Sequence, residues 1–333
     1  MMRAPMRSTL ILVACVAAAT VAAQGYQGLY ATSITIGIFA LLAVPLGLMY
    51  GHVGVMSLAQ GGFAALGGYG SAILATRFGW DPALTLLPAV LLPAAVAYLI
   101  SRPVLRLPEL SMALATLAFA LLLEVALRSG GKATGGYEGL ASIPPLPWVG
   151  NSRLGVHIAI WTLVAICVYC YESLLTSPRG RALRAVHVDR LLAESMGFPV
   201  ARELSMLFAI VAGVCGLAGW FYAHYIGYLG PASLGVHLSA NLIFMVVVGG
   251  RKFALGPIVG AVFFVLASDL IPGKAEAHGI VFGSLLILVL LLLPGGLLSL
   301  GTEAFRFRPR GRGGKNGADV SAASLRVAAK AGK

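Results

Sequence analysis

Few residues in this chain are able to carry chemistry, and they do not cluster. Cys167 and Cys170 spell C-x-x-C, but no second ligand pair completes a zinc site, so they read as two small apolar residues one helical turn apart. No H-E-x-x-H occurs and the six histidines are dispersed, which leaves neither a metalloprotease helix nor a Ser/His or His/acid dyad. Gly131-Lys132, Gly273-Lys274 and Gly314-Lys315 all lack the G-x-x-x-x-G-K-[ST] frame of a nucleotide site. Glu124 and Asp269 stand in long apolar runs, toward the ends of those runs. An ionised acid at mid-membrane costs about 3 kcal/mol, so such groups reach an interface, a cavity or a partner; an interfacial place is expected for both, and for His157, His224 and His237. Ser239 and Asn241, inside a short apolar run, are better placed to face a pore. No catalytic, cofactor-binding or metal-ligating residue is expected.

The elements that must position these groups are membrane spans. The chain has 333 residues, 59% hydrophobic and 11% charged, against roughly 25% charged in an ordinary soluble domain. Between Ser8 and Thr76 there is no Asp, Glu, Lys or Arg. Disordered, collagen-like and disulfide-scaffold classes are excluded by the same balance. The expected fold is all-α and polytopic, with about 8–10 transmembrane helices, since a span needs about 20 apolar residues. Qualifying runs lie near 8–24, 31–50, 55–76, 82–101, 110–127, 154–173, 204–225, 236–250, 254–271 and 279–299. The runs after Gly51 and before Gly250 are weak and read as broken or re-entrant helices, tolerable where the backbone faces protein or water.

With ten crossings and a cytoplasmic N-terminus, nineteen of the 24 Lys and Arg residues fall inside. Arg77, Arg128, Lys132, Arg153 and Lys274 fall outside. The positive-inside rule therefore places both termini in the cytoplasm, and topology, not nucleic acid, accounts for the net charge of +12. Residues 1–23 also fit a signal peptide ending near Ala22-Ala23-Gln24, whose removal would leave the remaining orientation unchanged. A permease region over 1–305 is expected, with an external loop at about 129–153. A basic Gly/Arg/Ala-rich tail over 306–333 reads as disordered and held near lipid headgroups.

Segment 176–203 is the informative cytoplasmic piece. Ser177-Pro178 supplies a helix start and Gly197 followed by Pro199 a stop. A single helix of about four turns is expected near 179–197. Ala182, Ala185, Val186, Leu192, Ala193 and Met196 lie on one side; Arg184, His187, Arg190 and Glu194 lie on the other. Asp189, Leu183 and Leu191 break the pattern. It reads either as an interfacial helix on the inner leaflet or as an element docking into a groove of a cytosolic partner.

Glycines recur at Gly47, Gly51, Gly54, Gly61, Gly62, Gly67, Gly68 and Gly70. They serve either close helix packing or an interrupted helix lining a path, and both can hold together. Gly51-x-x-Gly54-x-x-Ser57-Leu58 recurs as Gly227-x-x-Gly230-x-x-Ser233-Leu234. Chance explains so short an echo; an inverted repeat would also produce it.

Several motifs in order resemble the permease subunits of branched-chain amino acid ABC importers, specifically the LivM-type subunit. They are Gly51-x-x-Gly54-x-x-Ser57-Leu58 with Phe63-x-x-x-Gly67-x-Tyr69, Leu114-Ala115-Thr116-Leu117-Ala118-Phe119, and Thr134-Gly135-Gly136. Further on come Gly180-Arg181-Ala182-Leu183-Arg184-Ala185 with Ala193-Glu194-Ser195-Met196-Gly197, then Met245-Val246-Val247-Val248-Gly249-Gly250 with Gly256-Pro257-x-x-Gly260-Ala261. The chain departs from the family pattern at Val55, Ala59, Leu121, Lys252 and Phe253, which bears on substrate and not on class.

The resemblance implies a passive permease in a bacterial inner membrane. Its implied partners are a homologous permease forming a heterodimer, two ABC ATPase subunits that bind the ATP, and an external substrate-binding protein. It implies a coupling helix carrying Arg181, Arg184, Arg190, Glu194, Ser195, Met196 and Gly197. Gly54, Ser57, Gln60, Gly61, Gly62, Ser239, Asn241, Gly249 and Gly250 are the expected translocation-path residues. The implied cargo is a branched-chain or other hydrophobic amino acid, with urea or a short amide as the alternative within the family. An ion-coupled secondary transporter is the alternative outside it, poorly served by two peripheral acids.

Overall fold

The computed structural model describes residues 5–22, 27–146 and 153–270, with 283–284, 291 and 296–299 beyond them. The chain divides into two compact units, Met1–Ser299 and Leu300–Lys333. The expected tail at 306–333 and most of the expected span at 279–299 lie outside the described residues.

Apolar runs become helices because a helix satisfies every backbone group within its own segment. In chain order they are α1 (Pro5–Ala22), α2 (Gln27–Leu48), α3 (Gln60–Arg77), α4 (Leu86–Val104), α5 (Glu109–Ser129) and α6 (Arg153–Thr176). There follow α7 (Pro178–Val188), α8 (Arg190–Ser195), α9 (Val200–Ile226), α10 (Val236–Gly249) and α11 (Gly256–Leu270). Five segments among the described residues are long and apolar enough to cross a membrane; α1, α10 and α11 are shorter apolar helices. Burial ranks the long ones. The segments Gly28–Val53 and Val200–Ile226 are 78% and 72% buried, against 22% to 33% for α4, α5 and α6. Thus α2 and α9 form the centre, apolar on all sides, and the others present one face outward.

Lipid tails are as apolar as leucine, so helices associate where backbones can approach. Gly67 and Gly68 of α3 meet Gly216 and Gly219 of α9, and Gly216 also lies against Ala89 and Pro93 of α4. Higher up, Ser71 Oγ lies 2.7 Å from both Thr85 Oγ1 and His224 Nε2. The two sets of contacts run in the same order, so α3 and α9 are parallel. Beyond α9 a two-residue strand β1 (Leu140–Ala141) pairs antiparallel with β2 (Tyr228–Leu229), and the Tyr69 hydroxyl donates to Leu229 O at 3.0 Å.

Two links break the helical run. After α2 the chain makes a π-helical turn, Met49–Val53, closed by Gly54 at φ 75°, and α3 begins only at Gln60. After α9, Gly227 at φ 73° closes the helix and α10 begins at Val236. These are the two copies of the repeated G-x-x-G-x-x-S-L motif, and both put a left-handed glycine between one helix and the next. Around them the neighbours correspond: α3 packs on α4 as α10 packs on α11, and α4 packs on α9 as α11 packs on α2.

Candidate functional site

The two helix starts that follow these links meet inside the bundle. The Gly61 amide donates to Ser239 Oγ at 2.9 Å. Gly61 lies against the carbonyls of Leu234 and Gly235, an approach that no side chain at position 61 would permit. Gly62 faces Ala120 and Leu123 of α5. The approach to α3 is held by the Leu58 amide donating to Thr116 Oγ1 at 3.0 Å and the Ala59 amide donating to Ser57 Oγ at 3.3 Å. Glu124 Oε2 accepts from the Val236 amide at 3.4 Å, while Oε1 takes the Arg128 guanidinium. Glu124 is the sixteenth residue of α5, roughly 22 Å along its axis at 1.5 Å per residue. Only the last turn and a half of α5 lies beyond it.

Its electrostatics follow from helix geometry. Each helix start carries about half a positive charge, and neither N-cap residue, Ala59 or Gly235, supplies a side-chain cap. Two positive ends converge, offset by one carboxylate that is itself paired with Arg128. Beside them Gln60 is 1% exposed, and neither Nε2 nor Oε1 has a hydrogen-bond partner. A buried carboxamide left unpaired costs about 1–3 kcal/mol, so a water or solute group able to pair with Gln60 would be favoured there.

Segment 176–203 differs from the single helix expected. Asp189, at φ −154°, ends α7 and starts α8, its Oδ1 accepting from the Leu192 amide at 3.0 Å. The residue that broke the amphipathic pattern is a cap between two shorter helices. Ser177 caps α7 by accepting from Gly180 N at 3.0 Å. Gly180, Leu183, Val186 and Ala193 are the buried residues, so Leu183 belongs to the apolar face. Val188, Leu191, Leu192 and Met196 are open to solvent at 87%, 79%, 58% and 79%.

The basic residues of this segment turn back onto the bundle. Arg181 and Arg184 donate to the carbonyls of Thr176 and Leu175, each at 3.0 Å, closing the end of α6. Arg190 donates to Leu105 O at the end of α4 and to Glu194 Oε1 at 3.1 Å. Ser195 Oγ bonds back to Leu192 O at 2.8 Å, and Gly197 is left-handed at φ 82°. The helix pair also reaches the π turn. His187 packs directly on Gly54 with no room for a Cβ between them, and the His52 ring stands 5.7 Å from that of Tyr171.

Of the expected path residues, Gln60, Gly61, Gly62 and Ser239 come together at the node, with Ser57 buried just before it. Asn241 is half-buried on α10. Gly54 lies under His187 of α7. Gly249 packs on Gly256 and Gly260, and Gly250 on Gly296, away from the node. Three of the groups expected at an interface are largely enclosed by protein. His157 and His224 are 1% and 2% exposed, His224 being held by Ser71 and by Pro144 O at 2.6 Å. The Glu124 side chain is 12% exposed. Spacing along one helix could not reveal that α10 starts against it. Asp269 is exposed near the end of α11, and the four cysteines are free.

Residues 28–290 match the family described as branched-chain amino acid transport system / permease component. The chain is 28% identical over 289 residues to the high-affinity branched-chain amino acid transport system permease protein LivM of Salmonella typhimurium, covering 79% of this chain and 68% of that one. LivM of Escherichia coli gives the same figures. The permease protein LivH of Salmonella typhimurium is 26% identical over 287 residues, covering 80% of this chain and 92% of its own. No solved structure gives a significant match.

Proposed function

Because the chain belongs to the branched-chain amino acid transport system permease family, we propose that it forms, with a homologous permease, the gate of an ATP-driven importer for leucine, isoleucine, valine or related apolar amino acids in a bacterial inner membrane. Two ATPase subunits power the gate from the cytoplasm, and an external binding protein delivers the solute. The observation that carries this reading is the α7–α8 pair: an exposed apolar end, Val188 to Met196, on a segment wedged by His187 against the link that leads to α3. A groove on a cytosolic ATPase suits that end better than a flat leaflet, since apolar side chains leave it on more than one side.

In the proposed cycle, ATP binding draws the ATPase subunits together and moves α7–α8. Motion passes through Gly54 and the π turn to the start of α3. There Gln60, Gly61 and Gly62 part from Ser239 of α10, and the Gln60 carboxamide gains water or solute as a partner. The paired positive helix ends favour the carboxylate of an amino acid, and the Glu124 side chain its ammonium group. This chain supplies the path and the lever; the sequence carries no nucleotide frame of its own.

The test is reconstitution of the complex, purified through a tag on this chain, in liposomes containing ATP. Uptake of labelled leucine that needs the binding protein and stops with vanadate is expected. Uptake driven by an ion gradient alone would overturn the reading.

A further inference from the structure

We propose that the cavity enclosed by α1, α2, α6 and α11 holds one acyl chain of a membrane phospholipid, whose headgroup donates a hydrogen bond from an ammonium or hydroxyl group to Nδ1 of His157.

The cavity has a volume of about 670 Å³. Its walls include Cys15 and Val16 of α1, Ile36 of α2, and Ile258, Val262 and Leu266 of α11, with His157 and Trp161 contributed by α6. Among the described residues it is separate from the node: none of Gln60, Gly61, Gly62 or Ser239 lines it. The α1 wall also precedes residues 28–290, which match the family. Along α11 the lining runs from Leu255 to Leu266, roughly 16 Å at 1.5 Å per residue. That is half of the ~30 Å hydrocarbon layer, the depth of one leaflet. Aliphatic walls offer water too few partners to hold it, whereas acyl chains already surround these helices as their solvent.

One end of the slot is polar. His157 is the fifth residue of α6 and 1% exposed. The Tyr30 ring, near the start of α2, meets the imidazole edge-on at 5.6 Å, and the Tyr30 hydroxyl donates to Thr20 O at 3.4 Å, near the end of α1. Three helix ends thus share this level, where a lipid carries its headgroup.

The hydrogen bonds define what that headgroup must offer. The Thr20 hydroxyl gives its hydrogen to Val16 O, so toward His157 Nε2, 3.5 Å away, its oxygen accepts. Nε2 then carries the ring proton and Nδ1 presents a lone pair. Nδ1 is buried and has no partner, and the Trp161 indole N–H is already given to Ser33 Oγ at 3.0 Å. A buried acceptor left unmet favours a ligand that brings a donor. An ethanolamine headgroup brings an ammonium and a glycerol headgroup a hydroxyl; a choline headgroup brings neither.

The test uses the full chain purified with its partners through a tag and placed in nanodiscs. Each preparation holds a trace of phospholipid with a diazirine in its acyl chain and an ethanolamine, glycerol or choline headgroup. After irradiation, adducts are mapped by mass spectrometry. Labelling at Cys15 and Val262 is expected to be about three- to tenfold stronger from the ethanolamine or glycerol lipid than from the choline lipid, the worth of one hydrogen bond. The stronger of the two identifies the donor. His157→Leu should level the three headgroups. Val262→Trp should fill the cavity and remove adducts at Cys15, while those at the exposed Leu91 of α4 persist. The headgroup contrast in the unaltered chain stands even if neither variant folds. Equal labelling of Cys15 and Leu91 by all three lipids would overturn the proposal. So would an absence of adducts at Cys15 together with its cross-linking to residues 279–299, which would make this chain the occupant. Labelling requires no transport, so failure of the importer reading leaves the result legible.

Discussion

Gly54 sits directly beneath the imidazole of His187, so closely that the glycine has no space for a Cβ. The contact joins the cytoplasmic helix pair to the hinge between α2 and α3. It combines two demands, a left-handed backbone at φ 75° and an absent side chain, and only glycine meets both.

Gly54→Ala is expected to separate ATP hydrolysis from uptake. The left-handed conformation alone costs an alanine about 1–2 kcal/mol, and the methyl group must displace the His187 ring. Leucine uptake should fall while binding-protein-stimulated ATPase activity persists, and adding His187→Ala should restore part of the uptake. Wild-type uptake in the single variant would refute the lever.

Gly197→Pro and Glu194→Arg are expected to uncouple by a different route. Proline cannot adopt φ 82°, and reversing Glu194 repels Arg190, which also holds the Leu105 carbonyl. Gly197 has open space around it, so the fold should survive and the loss should appear in ATPase measurements on purified complex. Normal stimulated hydrolysis and uptake in both variants would remove the docking reading.

Replacing Gln60 by leucine should set stability against function. The substitution removes a buried unpaired carboxamide and should leave the thermal midpoint unchanged or raise it, by about 1–3 kcal/mol of stability at most. Uptake should fall because the gate loses the group that solute or water would satisfy. A lower midpoint with normal transport would show that Gln60 serves packing.

Glu124→Ala should weaken the start of α10 and leave Arg128 without its carboxylate, at about 1–3 kcal/mol. Glu124→Gln retains an acceptor for the Val236 amide and should lose less. Thermal unfolding of the purified complex ranks the two; equal midpoints for all three proteins would mean that the contact with Val236 is incidental.

Gly67→Leu, at the crossing with Gly216, should prevent assembly, because backbone of α9 occupies the space. Gly79→Leu is the control, left-handed but in open surroundings. Recovery of monodisperse complex is the readout, and normal recovery of the Gly67 variant would contradict the packing.

What this sequence determined by itself was everything that depends on the solvent. Charge-free runs such as 8–76 demand helices in a membrane, and the distribution of basic residues gives their expected orientation. Motif order identified the family. Tertiary structure alone decided which groups face one another. Asp189 looked like a flaw in one helix and is the cap of a second. Glu124 looked interfacial and meets the start of α10, 112 residues later in the chain. Leu183 looked polar-facing and is buried. Hydropathy reports what each residue asks of its surroundings, but two helix starts can meet at one point only after the helices around them have set where each chain segment runs, and that long-range closure leaves no local signature.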